Sequence, residues 1–225
     1  MTGQKTTVGN VTMAPEDNDS HRLETDTDDG LLVIVSGPSG VGKTTITRGL
    51  ERRIGDAVFS VSWTTRDKTE KDTEGVDYHF ATPEEFSQLK IEDGFYETAR
   101  IYGRYYGTPR AWVDEQLRRG RVVILEIDVE GAKQIKSKLP SAFALFVLPP
   151  SEDVLLGRLR DRKREGEDQI QKRFGEAQRE MAEARDCGVY DRFVTNDDLD
   201  RAIDESVAAV ELARATPRPQ RTSDV

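Results

Sequence analysis

Cysteine, histidine and long apolar runs are scarce in this chain of 225 residues. The single cysteine, Cys187, excludes an internal disulfide, and no nearby His or Lys would lower the pKa of its thiol, so we assign it no catalytic role. No run of about 18 apolar residues is present, so no transmembrane helix is expected. Residues 1–30 are polar and lack the apolar stretch of a secretory signal. We therefore expect a globular protein in a reducing, cytoplasmic setting, without membrane contact.

Positive charge is in the minority. Lys and Arg together number 33 against 42 Asp and Glu, which gives a formal net charge of −9. An acidic chain has no general attraction for nucleic acid polymers or anionic membranes, so neither is an expected partner. If the substrates are anions, basic residues must be concentrated locally. Arg outnumbers Lys by 23 to 10, a bias that suits a salt-rich cytoplasm or a GC-rich genome, and both interpretations stay open.

Buried-type apolar segments alternate with helical segments along the middle of the chain. We predict strands at 31–36, 58–63, 121–127, 143–148 and 190–195, and helices at 43–54, 111–119, 132–139, 151–161, 168–187 and 199–213. Strands separated by helices imply a parallel sheet flanked by helices, so the predicted fold class is α/β. Residues 61–110 break this alternation and predict an inserted, partly β segment. Residues 1–30 and 215–225 are predicted to be disordered tails.

One glycine-rich segment matches the phosphate-loop pattern G-x-x-x-x-G-K-[ST] between a predicted buried strand and a predicted helix. Glycines let backbone N–H groups converge on one point, and the helix N-terminus adds partial positive charge. Lys43 can reach the β- and γ-phosphates, and the Thr44 hydroxyl can ligate Mg²⁺. The segment therefore predicts an ATP site. Its candidate residues are Gly37, Pro38, Ser39, Gly40, Val41, Gly42, Lys43, Thr44 and Thr45.

Carboxylates close the predicted strand at 121–127. In a phosphate-loop protein, an acid at the end of the neighbouring strand orients Mg²⁺ or its waters. Asp128 is the metal-ligand candidate beside Thr44, and Glu126 would share its strand face. Asp128 has a second interpretation as the N-cap of the helix that follows.

The segment at 60–110 carries polar side chains in a region poor in core pattern. Together with the phosphate loop, it resembles the guanylate kinase family of P-loop kinases. The matching stretches are 60–66 (SVSWTTR), 75–80 (GVDYHF), 103–108 (GRYYGT), 127–131 (IDVEG) and 194–198 (VTNDD). The resemblance runs in order over about 31–213. It implies transfer of the γ-phosphoryl group of ATP to GMP, with Mg²⁺ as cofactor and these two nucleotides as partners.

The resemblance also implies residue roles. A bidentate Arg with phenolic donors is a suitable phosphate clamp. A carboxylate can accept from guanine N1–H and the N2 amine, while a hydroxyl donates to O6. The expected GMP-binding set is Ser62, Arg66, Tyr78, Glu97, Tyr106, Thr108 and Asp128. The expected catalytic set is Lys43, Arg66, Arg158, Arg162, Arg173 and Asp128, and Asn196 would contact adenine.

The family organisation divides residues 31–214 into three parts. These are a core (31–60, 111–150 and 174–213), a GMP-binding subdomain (61–110) and a small lid (151–173). The lid holds the expected local basic patch, with five Lys and Arg within 158–164 and Arg173 further on. A solvated basic helix face is the other interpretation of this patch. In the family interpretation, lid arginines neutralise charge on the γ-phosphoryl oxygens as the lid closes.

The chain departs from the family pattern at a few positions. A second arginine is usual three residues after Arg66, where this chain has Thr69 with Lys68 and Lys71 beside it. If the phosphate is under-clamped as a result, Thr69→Arg should tighten GMP binding. Lys163 stands where a Gly usually follows the lid arginine, and Asp72 and Glu126 each exchange one acid for the other.

The expected chemistry is direct, in-line transfer without a covalent intermediate, because the GMP phosphate is already an anionic nucleophile. Two other functions remain open. A related P-loop kinase of a ribose bisphosphate would have no use for a guanine-reading Glu97 and Thr108. A protein-binding module that keeps only the GMP pocket typically loses the ATP loop, and here Lys43 and Thr44 are intact.

Overall fold

The computed structural model describes residues 30–101, 103–161 and 166–216. Its strands are β1 (Leu31–Ser36), β2 (Ala57–Phe59), β3 (Trp63–Thr64), β4 (His79–Phe80), β5 (Phe95–Ile101), β6 (Arg104–Pro109), β7 (Val122–Glu126), β8 (Phe143–Leu148) and β9 (Arg192–Thr195). Its helices are α1 (Lys43–Arg53), α2 (Pro83–Ile91), α3 (Arg110–Arg118), α4 (Val129–Lys138), α5 (Glu152–Asp161), α6 (Glu167–Asp186) and α7 (Leu199–Ala215). None of the helices in these ranges is both long enough and apolar enough to cross a bilayer.

A five-stranded parallel sheet in the order β2-β7-β1-β8-β9 forms the centre of the fold, which confirms the predicted α/β class. Every residue of β1 is buried, as expected of a strand covered on both faces. Its alternate side chains enter two cores. Leu31, Val33 and Val35 pack with α1 and α7, while Leu32 and Ile34 pack with α3 and α4. The sheet therefore holds the loops that follow β1 and β7 side by side at one edge.

A second, four-stranded sheet in the order β4-β3-β6-β5 is built from the residues between β2 and α3. We expected 58–63 to be one strand, and this prediction is wrong. The Ser60 N–H donates to Ile124 O (3.0 Å) at the end of β2, and the Ser62 carbonyl then accepts from His79 N–H (2.9 Å). The chain passes from one sheet to the other within three residues, so each sheet receives only a short strand.

Helix α2 was not predicted within this segment. Its N-terminus has a capping box, in which Thr82 Oγ1 accepts from the Glu85 N–H and the Glu85 carboxylate accepts from the Thr82 N–H. Pro83 occupies the first turn, where a missing N–H costs nothing. The capping residues were readable from the sequence, but the apolar periodicity of so short a helix is weak, and only Phe86 is buried.

Other boundaries moved by a few residues. Helix α4 begins at Val129 rather than 132, because the Asp128 carboxylate caps it. Ala215 belongs to α7 rather than to a terminal tail. The remaining tail residues predicted as disordered, apart from Gly30 and Thr216, lie outside the described residues, as do Arg162 and Lys163.

Candidate active site

The phosphate loop connects β1 to α1, and its backbone adopts a conformation that requires glycine at three positions. Gly37, Gly40 and Gly42 all have positive φ angles of 151°, 87° and 103°. A Cβ atom on Gly42 would also lie 2.5 Å from the Asn196 amide nitrogen. Lys43 begins α1, and its ammonium donates to the carbonyl oxygens of Gly37 (2.5 Å) and Pro38 (3.1 Å). The loop therefore has the strand–turn–helix setting that the motif predicted.

Residues from the far end of the chain hold this loop in place. The Asn196 amide, 155 residues from Val41 in sequence, donates to the Val41 carbonyl at 2.7 Å and is 5% exposed. Arg158 donates to the Asn196 carbonyl (2.9 Å), and Arg173 donates to the Ser39 hydroxyl. The structure thus brings Arg158 and Arg173, the two described lid arginines of the expected catalytic set, to the phosphate loop. It places the expected adenine contact Asn196 against the loop backbone.

Glu126, at the end of β7, is the carboxylate that contacts Thr44. Its Oε1 accepts from Thr44 Oγ1 (3.0 Å), and its Oε2 accepts from the buried Thr47 (3.3 Å). Asp128 instead accepts from the Gly131 N–H at 2.8 Å, which is the N-cap interpretation. The geometry thus favours Glu126 over Asp128 as the acid nearest a metal at Thr44. Thr47 was missed, although its position three residues after Thr44 puts it on the same helix face.

A cleft of about 590 Å³ separates the phosphate loop from the second sheet, with α6 along one side. Five of the seven expected GMP-binding residues line it, together with Lys43 and Arg173. The cleft lining includes Gly37, Ser39, Lys43, Ser62, Tyr78, Glu97, Tyr106, Glu126, Asp128, Arg173, Glu176, Glu180 and Glu183. Arg66 and Thr108 do not line the cleft themselves. Arg66 lies near the lining residue Tyr78, and Thr108 donates a hydrogen bond to the lining residue Glu97.

Glu97 presents a carboxylate from β5 into this cleft while being only 3% exposed itself. Burial raises its pKa to about 7. A hydrogen bond from Thr108 Oγ1 to Oε1 (2.7 Å) opposes the shift, and the charge of Asp128 adds to it. The Thr108 hydroxyl is thus directed at Glu97, whereas the sequence suggested that it would face guanine O6. Thr108 fixes one carboxylate oxygen, which leaves Oε2 near Gly131 and Asp128.

Two tyrosines and an arginine form the other wall. The Tyr78 and Tyr106 rings meet edge to face with centroids 5.8 Å apart. The Arg66 guanidinium lies 5.2 Å from the centroid of the Tyr78 ring and makes a bidentate ion pair with Asp72 (2.8 and 3.0 Å). Burial raises the pKa of Tyr78, so its phenol remains a proton donor. The sequence marks Asp72 only as a departure from the family pattern and does not predict this ion pair.

Helix α6 adds acidic residues that sequence reasoning did not single out. Glu176, Glu180 and Glu183 line the cleft at the three- and four-residue spacing of one helix face. Burial raises the pKa of Glu180 to about 7, an effect that the Lys43 charge opposes and the Asp128 charge reinforces. No cluster of three or more His, Cys, Asp or Glu with metal-site geometry occurs within the described residues.

The sequence is similar to guanylate kinases over most of its length. The profile described as guanylate kinase matches residues 30–212. The guanylate kinase of Carboxydothermus hydrogenoformans is 42% identical over 189 residues, covering 84% of this chain and 91% of the relative. The guanylate kinase of Myxococcus xanthus is 45% identical over 188 residues, covering 82% and 88%.

A solved structure agrees with the sequence relatives. The crystal structure of guanylate kinase from Anaplasma phagocytophilum superposes with a TM-score of 0.68 at 27% identity, covering 83% of this chain and 87% of that one. The profile match and the relatives above 40% identity each span more than four fifths of the chain. The chain therefore belongs to the guanylate kinase family.

Proposed function

We propose that this protein transfers the γ-phosphoryl group of ATP to GMP, giving ADP and GDP. The observation that carries the proposal is that one cleft holds both the phosphate-loop Lys43 and the buried carboxylate of Glu97. The first is suited to a triphosphate, and the second to a base with two adjacent N–H donors. ATP-dependent phosphotransfer is the activity of the family, and these two residues supply the donor and acceptor sites for it.

On the ATP side, the loop from Gly37 to Thr45 would receive the phosphates at the N-terminus of α1. Lys43 would exchange its contacts with the loop carbonyls for the phosphate oxygens. The hydroxyl of Thr44 and the carboxylate of Glu126 offer the hard oxygen ligands that Mg²⁺ prefers, and Mg²⁺ is usually held by one or two carboxylates plus substrate phosphates. When bound, the ion would neutralise charge on the β- and γ-phosphates.

On the GMP side, Glu97 would accept from guanine N1–H and the N2 amine, with Thr108 orienting its carboxylate and Asp128 close by. Adenine offers a lone pair at N1 and no amine at C2, so AMP would leave the buried carboxylate without partners. Ser62 also lines the cleft. The phenols of Tyr78 and Tyr106, with Arg66 behind them, would hold the phosphate.

Catalysis would rest on positioning and charge neutralisation. The GMP phosphate oxygen attacks the γ-phosphorus in line with the departing ADP oxygen, and no general base is needed. Arg158 contacts the Val41 carbonyl of the phosphate loop and Arg173 contacts Ser39, so short movements would carry both to the transferring group. Arg162, outside the described residues, keeps the same expected role. We propose that 151–173 is the lid that makes this movement, 61–110 the GMP-binding subdomain and the rest of 31–214 the core.

A coupled assay of ADP release tests the proposal against its alternatives. ATP turnover should appear with GMP, should be at least about 10⁴-fold less efficient with AMP, and should be absent with a ribose bisphosphate. Glu97→Ala should lower kcat/KM for GMP by roughly 2 kcal/mol or more and change the AMP value little. Equal use of both nucleotides, or intact GMP turnover in Glu97→Ala, would contradict the guanine-reading role. An absence of turnover in the wild type would favour a binding module.

A further inference from the structure

Arg66 is fixed along one edge of its guanidinium. Nη1 donates to Asp72 Oδ2 at 3.0 Å, and Nη2 donates to Asp72 Oδ1 at 2.8 Å. Nη1 also donates to the Asp67 carbonyl at 3.1 Å. The guanidinium carbon also lies near two rings, 5.2 Å from the Tyr78 centroid and 5.5 Å from that of Phe80. These contacts determine the plane of the guanidinium and the direction in which it points.

The opposite edge of the same guanidinium has no protein partner in the described part of the chain. This edge consists of Nε–H and the second Nη2 proton, which together form a fork that matches two oxygens of a phosphate. The carboxylate of Asp72 therefore occupies one fork of Arg66 and leaves the other for an anion.

Asp72 is itself held by Thr69. The Thr69 N–H and hydroxyl both donate to Asp72 Oδ2, at 2.7 and 2.6 Å, and the Asp72 side chain is only 14% exposed. The hydrogen bond from Arg66, followed by the two from Thr69, holds the pKa of Asp72 well below its usual range. The carboxylate therefore remains charged at any working pH. Thr69, Asp72 and Arg66 form a chain of contacts that ends at the open fork.

We propose that Asp72, anchored by Thr69, is a positioning residue that aims the open fork of Arg66 at the GMP phosphate. This inference rests on the proposed function, since Arg66 matters here as a phosphate ligand. It gives Thr69 a use at the position where the family usually has a second arginine. Thr69→Arg would remove the hydroxyl bond to Asp72, so we no longer expect that substitution to tighten GMP binding.

Positioning of Arg66 and simple neutralisation of its charge predict changes of opposite sign in the KM for GMP when Asp72 is replaced by Asn. If Asp72 only offsets the Arg66 charge, then Asp72→Asn should strengthen the attraction of Arg66 for the phosphate and lower the KM for GMP. If Asp72 positions Arg66, the same variant should raise that KM, because the Asn amide donor faces the guanidinium donors and the fork loses its alignment. Within the described residues, Asp72 and Arg66 do not contact the phosphate loop, so the KM for ATP should not change together with the KM for GMP.

The test compares four variants by steady-state kinetics, with circular dichroism and thermal melting to confirm folding. Asp72→Asn should raise the KM for GMP about tenfold or more, with the KM for ATP within about twofold. Thr69→Val, which removes only the hydroxyl, should raise the KM for GMP about two- to fivefold, and Thr69→Ser should match the wild type. Asp77→Asn, which disturbs the Thr73 N–H contact in the same loop without touching Arg66, should leave the KM for GMP within about twofold.

The outcomes are distinct. A folded Asp72→Asn with an unchanged or lower KM for GMP would overturn the inference. If Asp72→Asn does not fold, equal KM values for GMP in Thr69→Val and Thr69→Ser would do so. A wild-type protein that does not phosphorylate GMP would instead refute the proposed function, so the two failures cannot be confused.

Discussion

At the scale of single residues, the site depends on where carboxylates are buried. Glu97 has few solvent contacts, and burial raises its pKa to about 7. In the proposed function, guanine binding requires the charged form of Glu97, which alone accepts two hydrogen bonds without donating one. Glu97 must therefore be ionised when GMP binds, and the binding affinity is linked to pH.

The affinity of the wild type for GMP should rise about tenfold between pH 6 and pH 8, because Glu97 loses its proton over this interval. Glu97→Gln should lack that rise. The second pKa of the GMP phosphate, near 6, affects both proteins equally, so the ratio of their affinities isolates Glu97. Calorimetric titration with GMP at several pH values measures it. Parallel curves for the two proteins would contradict the assignment.

The same shift has a consequence for stability with a definite sign. The pKa of Glu97 is raised on folding, so the folded state binds this proton more tightly than the unfolded state does. The contribution is fully present below the unfolded value of about 4.5 and is lost as pH rises through about 7. The unfolding free energy of the wild type relative to Glu97→Gln should therefore fall over this interval, by up to about 3 kcal/mol.

Residue roles were predictable where they depend on a local motif and were not where they depend on distant partners. The loop conformation around Gly37, Gly40 and Gly42 follows from the motif itself. By contrast, the contact of Asn196 with Val41 joins residues 155 apart in sequence. The hydrogen bond from Thr108 to Glu97 depends on how β5 and β6 pair. Such contacts are decided by packing between elements, which sequence spacing alone does not contain.

At the scale of elements, the first turn of α4 lies against the Glu97 carboxylate in the cleft. A Cβ atom on Gly131 would lie 3.1 Å from Glu97 Oε2 and 3.3 Å from Asp128 Oδ1. Glycine at this position thus lets the helix N-terminus approach two carboxylates at once. In α5, a Cβ atom on Gly157 would meet nothing within 4 Å, which makes Gly157 a matched control.

Gly131→Ala should raise the KM for GMP several-fold, because the methyl group displaces both carboxylates by a few tenths of an ångström. Gly157→Ala should leave the KM for GMP unchanged and stabilise the protein by about 0.5–1 kcal/mol through helix propensity. Steady-state kinetics and thermal melting on the two variants check this pair of expectations. A KM for GMP in Gly131→Ala equal to that of Gly157→Ala would show that the close approach is unimportant.

Elements with a continuous apolar pattern were predicted nearly to the residue, as β1 and β8 were. Short elements were not. Strand β2 has three residues and β3 has two, and neither is long enough to carry a periodic pattern. The two strands are separate because Ser60 bonds to Ile124 in the central sheet, whereas Ser62 bonds to His79 in the second sheet.

At the scale of the whole molecule, the protein is acidic although its proposed substrates are anions. The net charge of −9 repels nucleotides at long range. Lys43 and Arg173 line the cleft, and Arg158 and Arg66 lie beside it. Seven carboxylates line the cleft as well, so the acidity of the chain extends into it, and positive charge among the described residues there is limited to these few side chains. The strand order of the central sheet followed only from the structure, since alternation does not say which strands are neighbours.

If the acidic surface is an adaptation to salt, the melting temperature should rise between low and molar KCl, because screening relieves self-repulsion. A non-ionic osmolyte series at matched osmolarity serves as the control for water activity. Differential scanning fluorimetry is sufficient for the comparison. A flat or falling curve in KCl would count against the halophilic interpretation and leave base composition as the explanation of the arginine bias.

The most direct test of the central claim follows the phosphoryl group itself. ATP labelled at the γ-phosphate is incubated with the protein, Mg²⁺ and equimolar GMP and AMP, and the nucleotides are then separated by chromatography. We predict that label appears in GDP, that almost none appears in ADP formed from AMP, and that Lys43→Ala forms neither product. Comparable label in ADP, or labelled inorganic phosphate without labelled GDP, would contradict the account.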